Sequence, residues 1–319
     1  MAGTAFIFPG QGSQAVGMGK ALAERYPAAR EIFERVDAAL GERLSTLMFD
    51  GPESDLTLTA NAQPALMAVS LAVVRVLESQ AGLDLGRDAE FLAGHSLGEY
   101  SALAAAGAFT VEDAARLLRI RGQAMQSAVP VGQGAMAAIL GLDFAQSAAV
   151  AAEAAETPGA VCQAANDNGG GQVVISGTKA AVERAMALAK LKGAKRAVPL
   201  PVSAPFHCAL MQPAADAMAA ALATIEIKKP KAPIVANVTA RPMREPGEIR
   251  ENLVAQVVGA VRWRESVAYM AEHGVQRFVE LGAGKVLSGL VRRIAEGATA
   301  INISGPAEVD AFRPAAVSS

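Results

Sequence analysis

Residues 94–98 read Gly94-His95-Ser96-Leu97-Gly98, a serine with a glycine two places away on either side. This is the spacing of a nucleophile elbow, in which a strand turns sharply into a helix and leaves the serine hydroxyl exposed over the helix N-terminus. The glycines allow the strained turn and the close packing beneath it. The flanks agree, with FLA before the motif and EYSALAAA after it. A serine hydroxyl needs a base to become a nucleophile, and the chain has three histidines. His95 adjoins the serine, so its ring is directed elsewhere along the elbow. His273, in YMAEHGV, ends a helix before a glycine, where an imidazole meets the helix C-terminus in an ordinary electrostatic role. His207 lies in the irregular stretch Ser203-Ala204-Pro205-Phe206-His207, the kind of loop that carries catalytic groups on a rigid scaffold. Elimination makes His207 the base for Ser96. Cys208 is a weak rival nucleophile, because sequence neighbours rarely point at one another.

The elements needed to hold these residues can be read from hydrophobic spacing. Residues 4–8 (TAFIF) form a short buried strand ending at Pro9-Gly10, and 91–93 a second one leading into the elbow. Ile32, Phe33, Val36 and Leu40 mark one stripe of a helix over 28–40. Pro64 is expected in the first turn of a strongly apolar helix that stops near Gly82. Thr110 is expected to cap a helix over 111–126. Between 127 and 202 the order is strand, helix, strand, strand, helix (capped by Thr178), strand. That βαββαβ order predicts a ferredoxin-like subdomain inserted into a larger α/β-hydrolase-like body. The body then comprises 1–126 and 203–305, the insertion 127–202, and a tail without clear periodicity 306–319. Further strands are read in PIVANV, RFVEL and AINIS, with a helix from Lys285.

Composition narrows the function classes. Among 319 residues, 29 Lys+Arg oppose 31 Asp+Glu, for a net charge of -2, so no general cationic field is available to bind nucleic acid. Cys162 and Cys208 cannot make a disulfide framework or a Cys-rich metal site, and three dispersed histidines provide no zinc-binding spacing. The N-terminal MAGTAFIFPGQGSQ lacks the features of a signal peptide. The long uncharged stretches are interrupted by Pro, Gln, Asn, Ser or His, so none reads as a membrane span. A cytoplasmic protein is expected, without metal or redox cofactor. Gly10-x-Gly12-x-x-Ala15 formally fits a dinucleotide fingerprint, but a helix over 28–40 follows where a second strand ending in an acid is required.

Five segments in order, FPGQGSQ, GHSLGEYSAL, RGQAM, GQVVISG and APFH, resemble the malonyl-CoA:acyl carrier protein transacylases, over nearly all of the chain to about Gly305. The resemblance implies the same fold and a ping-pong reaction supplying fatty-acid synthesis. Ser96 takes the malonyl group from malonyl-CoA, and the phosphopantetheine thiol of acyl carrier protein then accepts it. It implies an oxyanion hole from the backbone N–H groups of Gln11 and Leu97. Arg121 occupies the family's carboxylate-binding position, where a guanidinium fork suits the free carboxylate of malonyl. Arg116 and Arg119 read as solvated helix charges. Gln63 matches a pocket-lining position, and Phe206 is bulky enough to crowd an α-methyl branch, favouring malonyl over methylmalonyl. The contact that orients His207 maps to a carbonyl at Gln256, although Ala260 stands where the family usually has proline. The turn 280–285 reads as structural.

The carrier is acidic, so a local basic patch is expected to meet it. Lys192, Lys195 and Arg196, then Lys228, Lys229 and Lys231, and Arg292-Arg293 are the candidate clusters. The partners expected are therefore malonyl-CoA and acyl carrier protein, with no nucleic acid or membrane, and the protein itself a monomer. A serine esterase or thioesterase built on the same elbow is the alternative. A non-catalytic acyl-carrier scaffold would leave Ser96 and His207 without purpose.

Overall fold

A computed structural model describes residues 3–314. The strands along it are β1 (Gly3–Phe8), β2 (Phe91–Gly94), β3 (Gly134–Leu140), β4 (Cys162–Asp167), β5 (Gln172–Thr178), β6 (Arg196–Pro199), β7 (Ile234–Val235), β8 (Pro242–Met243), β9 (Val275–Leu281) and β10 (Thr299–Ile303). They form two sheets. The larger runs in the order β10-β9-β1-β2-β7-β8 and is parallel except at its β7–β8 edge.

β1 is central and almost wholly buried, as its unbroken apolar run requires in a sheet covered on both faces. Alternate side chains serve opposite layers. Phe6 and Phe8 enter the larger core with helix Thr59–Ala81, whereas Ala5 and Ile7 pack with Trp263, Val267, Met270 and Phe278.

Helix Thr59–Ala81 corrects one expectation. Pro64 lies well inside it, not in its first turn, despite the backbone hydrogen bond that an interior proline forfeits. The reason is tertiary: helix Val111–Ser127 crosses the start of this helix at Gly122, where a Cβ would fall 2.6 Å from the Ala60 Cα. The packing holds 59–63 helical. The helix is long and apolar enough to cross a membrane, but 83% of its most apolar window is buried inside the protein, as in a core helix packed on all sides.

The second sheet is antiparallel, in the order β4-β5-β3-β6. Helices Phe144–Ala154 and Lys179–Leu191 cover one face through Ala137, Ile139 and Ile175. The other face turns Met136 and Val174 toward the main core. A bridge between Asn166 and Val261 joins this sheet to the main body. Thr178 precedes its helix as expected, but its hydroxyl donates to the Val161 carbonyl and does not cap. Of PIVANV only two residues pair as strand. Beyond Pro306, where no periodicity was legible, Pro306–Ala311 is helical and Val309 and Phe312 are buried. Residues 315–319 of that segment lie outside the described residues.

Candidate active site

The site begins where β1 and β2 end side by side, with Phe8 paired to Gly94. From β1 the chain passes to β2 on one side, whereas β9 on the other side passes away to β10, so strand order reverses next to β1. Open α/β sheets bind ligands in crevices beyond the carboxyl ends of their parallel strands near such a reversal. Gln11 follows β1 and Ser96 follows β2. Ser96 has φ 53 and ψ -110, a strained conformation that costs about 1–3 kcal/mol and has to be held by its surroundings. The glycines explain how the turn fits. A Cβ on Gly94 would lie 1.9 Å from the Gly98 carbonyl, and one on Gly98 would lie 2.3 Å from the Phe8 oxygen.

Ser96 Oγ lies 2.8 Å from His207 Nε2. On the far side of the ring, His207 Nδ1 is 2.9 Å from the Gln256 carbonyl and 3.2 Å from that of Gly259. Carbonyls only accept, so Nδ1 carries the proton and Nε2 is left to accept from the serine hydroxyl. No acid occupies the orienting position; two carbonyls do. His207 also has a positive φ, 60, so both side chains of this hydrogen-bonded pair sit on strained backbone. Burial, reinforced by the Arg121 charge, pushes the imidazole down to about 3, which keeps it neutral at physiological pH. Ala260 in place of proline leaves these contacts intact.

Arg121 projects from helix Val111–Ser127 into the same place and is 1% exposed. Its Nη1 donates to Gln63 Oε1 at 2.7 Å, and its Nη2 donates to Gln256 Oε1 at 2.8 Å and to Ser96 Oγ at 3.1 Å. Among the described residues all these acceptors are neutral, so no protein carboxylate occupies the fork. A buried guanidinium bonded only to neutral side-chain oxygens, and close to the Ser96 hydroxyl, is suited to pair with an anionic group. Arg119, by contrast, pairs with Glu42 and Asn61, and Arg116 with Asp113. Arg116 is exposed as expected, but Arg119 is largely buried and not a solvated charge, and neither lines the cavity.

Sequence reasoning missed two side chains here. Asn237, just after β7, accepts the Ser96 N–H at 2.7 Å and donates to the Gly94 carbonyl at 2.7 Å, clamping the elbow from both sides. Glu99, fully buried three residues after Ser96, accepts from Gln256 Nε2 at 2.7 Å and from the Asn237 N–H at 3.1 Å. An acid in the otherwise apolar SLGEYSALAAA was a legible signal for the second, and an asparagine at a strand end in PIVANV a fainter one for the first.

These groups open into a cavity of about 530 Å³. Gln11, Gln63, Ser96, Leu97, Arg121 and His207 line its inner part. Met125, Leu200, Val202 and Phe206 form an apolar wall, and Met136, Asn166, Asn168, Gln172 and Val174 come from the antiparallel sheet and its loop. Gln11 sets its side chain against Thr59. The backbone N–H groups of Gln11 and Leu97 have no hydrogen-bond acceptor among the described residues. His95 turns away from Ser96 Oγ and places Nε2 3.0 Å from Asn168 Oδ1. His273 bonds the Tyr269 carbonyl. Cys208 is buried on the Pro205 carbonyl, and burial raises its thiol pKa, so no ready thiolate forms. Glu280 accepts from the Leu287 and Ser288 N–H groups and holds the start of helix Val286–Ile294, the structural role read for its turn. Among the described residues no three His, Cys, Asp or Glu side chains are grouped to hold a metal ion.

The acyl transferase domain family matches residues 5–304, and the chain belongs to that family. Within it, the malonyl CoA-acyl carrier protein transacylase of Escherichia coli K12 is 50% identical over 307 residues, covering 96% of this chain and 97% of the relative. The crystal structure of an acyl-carrier-protein-S-malonyltransferase from Bartonella henselae superposes with a TM-score of 0.94 at 56% identity, covering 97% and 98% of the two chains. A structure of a type II PKS acyl-carrier protein in complex with its malonyl-transacylase matches with a TM-score of 0.92 at 43% identity, covering 97% of this chain and 99% of that one.

Proposed function

We propose that this protein transfers malonyl from malonyl-CoA to the phosphopantetheine thiol of acyl carrier protein, supplying fatty-acid synthesis. The observation that carries the reading is the convergence on one hydroxyl, Ser96 Oγ, of a neutral imidazole at 2.8 Å and, at 3.1 Å, a buried guanidinium whose protein acceptors are all neutral. Full-length relatives with this named activity support it.

In the first half-reaction Ser96 Oγ attacks the thioester carbon while His207 Nε2 takes its proton. The tetrahedral oxyanion is received by the Leu97 and Gln11 N–H groups. The C–S bond breaks, coenzyme A leaves with the proton from His207, and malonyl-serine remains. In the second half the carrier thiol gives its proton to His207 and attacks the ester carbon; the bond from that carbon to Ser96 Oγ breaks, malonyl leaves as the carrier thioester, and Ser96 Oγ takes the proton back from His207. Arg121 holds the distal carboxylate throughout, which requires it to leave Ser96 Oγ when substrate enters. Gln63 and Gln256 hold Arg121 from behind, and the Gln256 carbonyl keeps His207 in the right tautomer. Phe206 on the cavity wall favours malonyl over an α-methyl analogue. No metal or redox cofactor has a part in this scheme, and the reading places the protein in the cytoplasm as a monomer.

For the fold, the strand order β4-β5-β3-β6 supports a ferredoxin-like insertion over 127–202, and the six-stranded unit supports an α/β-hydrolase-like body over 1–126 and 203–305, with 306–319 as an appended tail. Of the basic clusters, Arg292-Arg293 is best placed for the carrier. Arg293 packs beside Gly170, in the loop whose Asn168 lines the cavity. Lys228 and Lys231 are bonded near Ala106 and Ala108, past the end of helix Leu97–Ala105 remote from Ser96. Lys192 is paired with Glu153.

Intact mass spectrometry tests the function. Malonyl-CoA should add one malonyl group to the wild type, lost on addition of carrier protein and absent in Ser96→Ala. Rapid release of malonate without carrier would instead identify a hydrolase.

A further inference from the structure

Glu99 sits in the first turn of helix Leu97–Ala105 with no exposed surface. A carboxylate so buried needs compensation, yet the nearby guanidinium of Arg121 makes no hydrogen bond to it: Nη1 and Nη2 go to Gln63, Gln256 and Ser96, and Nε has no partner among the described residues. Compensation comes from donors to one oxygen, Oε2, which accepts from Gln256 Nε2 at 2.7 Å and the Asn237 N–H at 3.1 Å, while Oε1 is buried without a partner among the described residues. Each donor belongs to a residue that holds the reacting groups. Asn237 bonds both the Ser96 N–H and the Gly94 carbonyl. Gln256 gives its side-chain oxygen to Arg121 and its backbone carbonyl to His207. An ionised carboxylate only accepts, so it admits one orientation of the Gln256 amide, nitrogen toward Glu99 and oxygen toward Arg121.

We infer that Glu99 is a positioning residue whose buried carboxylate locks Gln256 and Asn237 together, and through them aligns Arg121, His207 and the elbow without touching the acyl group. The inference rests on the acyl-transfer reading above. Burial pushes the Glu99 carboxyl up to about 7, against the opposing pull of Gln256, Asn237 and Arg121. Arg121 and Tyr100 are the ionisable groups that face it, while Asn237 and Gln256 present neutral amides. His207, held down to about 3, titrates far below this range. Glu99 is active in its charged form, so loading rises with pH through its midpoint.

The test follows malonyl-serine formation from malonyl-CoA across neutral pH in wild type, Glu99→Gln and Gln256→Leu, with thermal melting to verify folding. Wild-type kcat/KM should fall as pH drops through about 7. Glu99→Gln should be about tenfold slower at high pH, from a weakened buried network, and should lose that limb. Gln256→Leu removes the shortest donor to the carboxylate and should move the midpoint upward. A limb that persists unchanged in Glu99→Gln overturns the inference. If that variant does not fold, the Gln256→Leu midpoint decides, and an unmoved midpoint overturns it equally. Absence of any wild-type adduct on Ser96 would instead defeat the acyl-transfer reading, which separates the two failures.

Discussion

The two sheets meet at one cavity and contribute to it in different ways. In the parallel sheet the chain leaves successive strands at the same end, so Gln11 after β1, Ser96 after β2 and Asn237 after β7 converge. Helices packed on that body add Arg121 and Gln256, and every hydrogen bond to Ser96 Oγ comes from this part of the molecule or from the His207 segment next to it. In the antiparallel sheet neighbouring strands run oppositely and no such convergence arises. One face is closed by its own two helices, and the other supplies Met136, Gln172 and Val174 as wall. Parallel architecture concentrates chemistry at one edge, while the antiparallel unit shapes access to it. Changes in the first region should therefore alter rates by orders of magnitude, and changes in the second should mainly alter binding.

The largest effect is expected for His207→Ala. Removing the general base proposed above should slow malonyl-serine formation by roughly 10²–10⁴-fold, read as the rate of adduct appearance under single turnover, with malonyl-CoA affinity little changed. A smaller loss would show that Arg121, 3.1 Å from the same hydroxyl, activates Ser96 without the imidazole.

Arg121→Ala comes next. Without the guanidinium the malonyl carboxylate would enter a buried site unpaired, so kcat/KM for malonyl-CoA should fall by about a hundredfold or more. Acetyl-CoA, which has no carboxylate, should lose far less, and the preference between the two should collapse. Competition between the two thioesters for Ser96 measures this directly. An unchanged preference would remove Arg121 from the substrate site and leave it only a structural role.

Much of this organisation was legible because it depends on residue type and spacing. The elbow was visible because only glycine fits at 94 and 98, and His207 because three histidines left few choices. The βαββαβ segment was visible because its strands and helices are short, complete periods bounded by turns. What escaped depended on tertiary contact or on backbone atoms. The start of helix Thr59–Ala81 is set by the approach of Gly122 to Ala60. The second carbonyl on His207 belongs to Gly259, and a carbonyl is common to all residue types. Asn237 acts only because β7 places it beside an elbow 141 positions away in sequence. The short tail helix is held by burial of Val309 and Phe312 more than by any local pattern.

A pair of asparagine variants gives the finest separation of the two regions. Asn237 and Asn168 both hold the elbow, Asn237 at the Ser96 N–H at 2.7 Å and Asn168 at the His95 ring at 3.0 Å. Asn237 is buried on the parallel-sheet side and also satisfies the Gly94 carbonyl. Asn237→Ala therefore leaves two buried backbone groups unpaired at a strained turn, each costing about 1–3 kcal/mol. Both the melting temperature and the acylation rate should fall clearly. Asn168 belongs to the loop between β4 and β5, at the cavity mouth, where water can replace the lost bond. Asn168→Ala should leave the melting temperature nearly unchanged and shift kcat/KM by only about two- to fivefold, mostly through KM. Equal losses in the two variants would mean that the antiparallel unit helps hold the nucleophile, and the division between a chemical region and an access region would then be wrong.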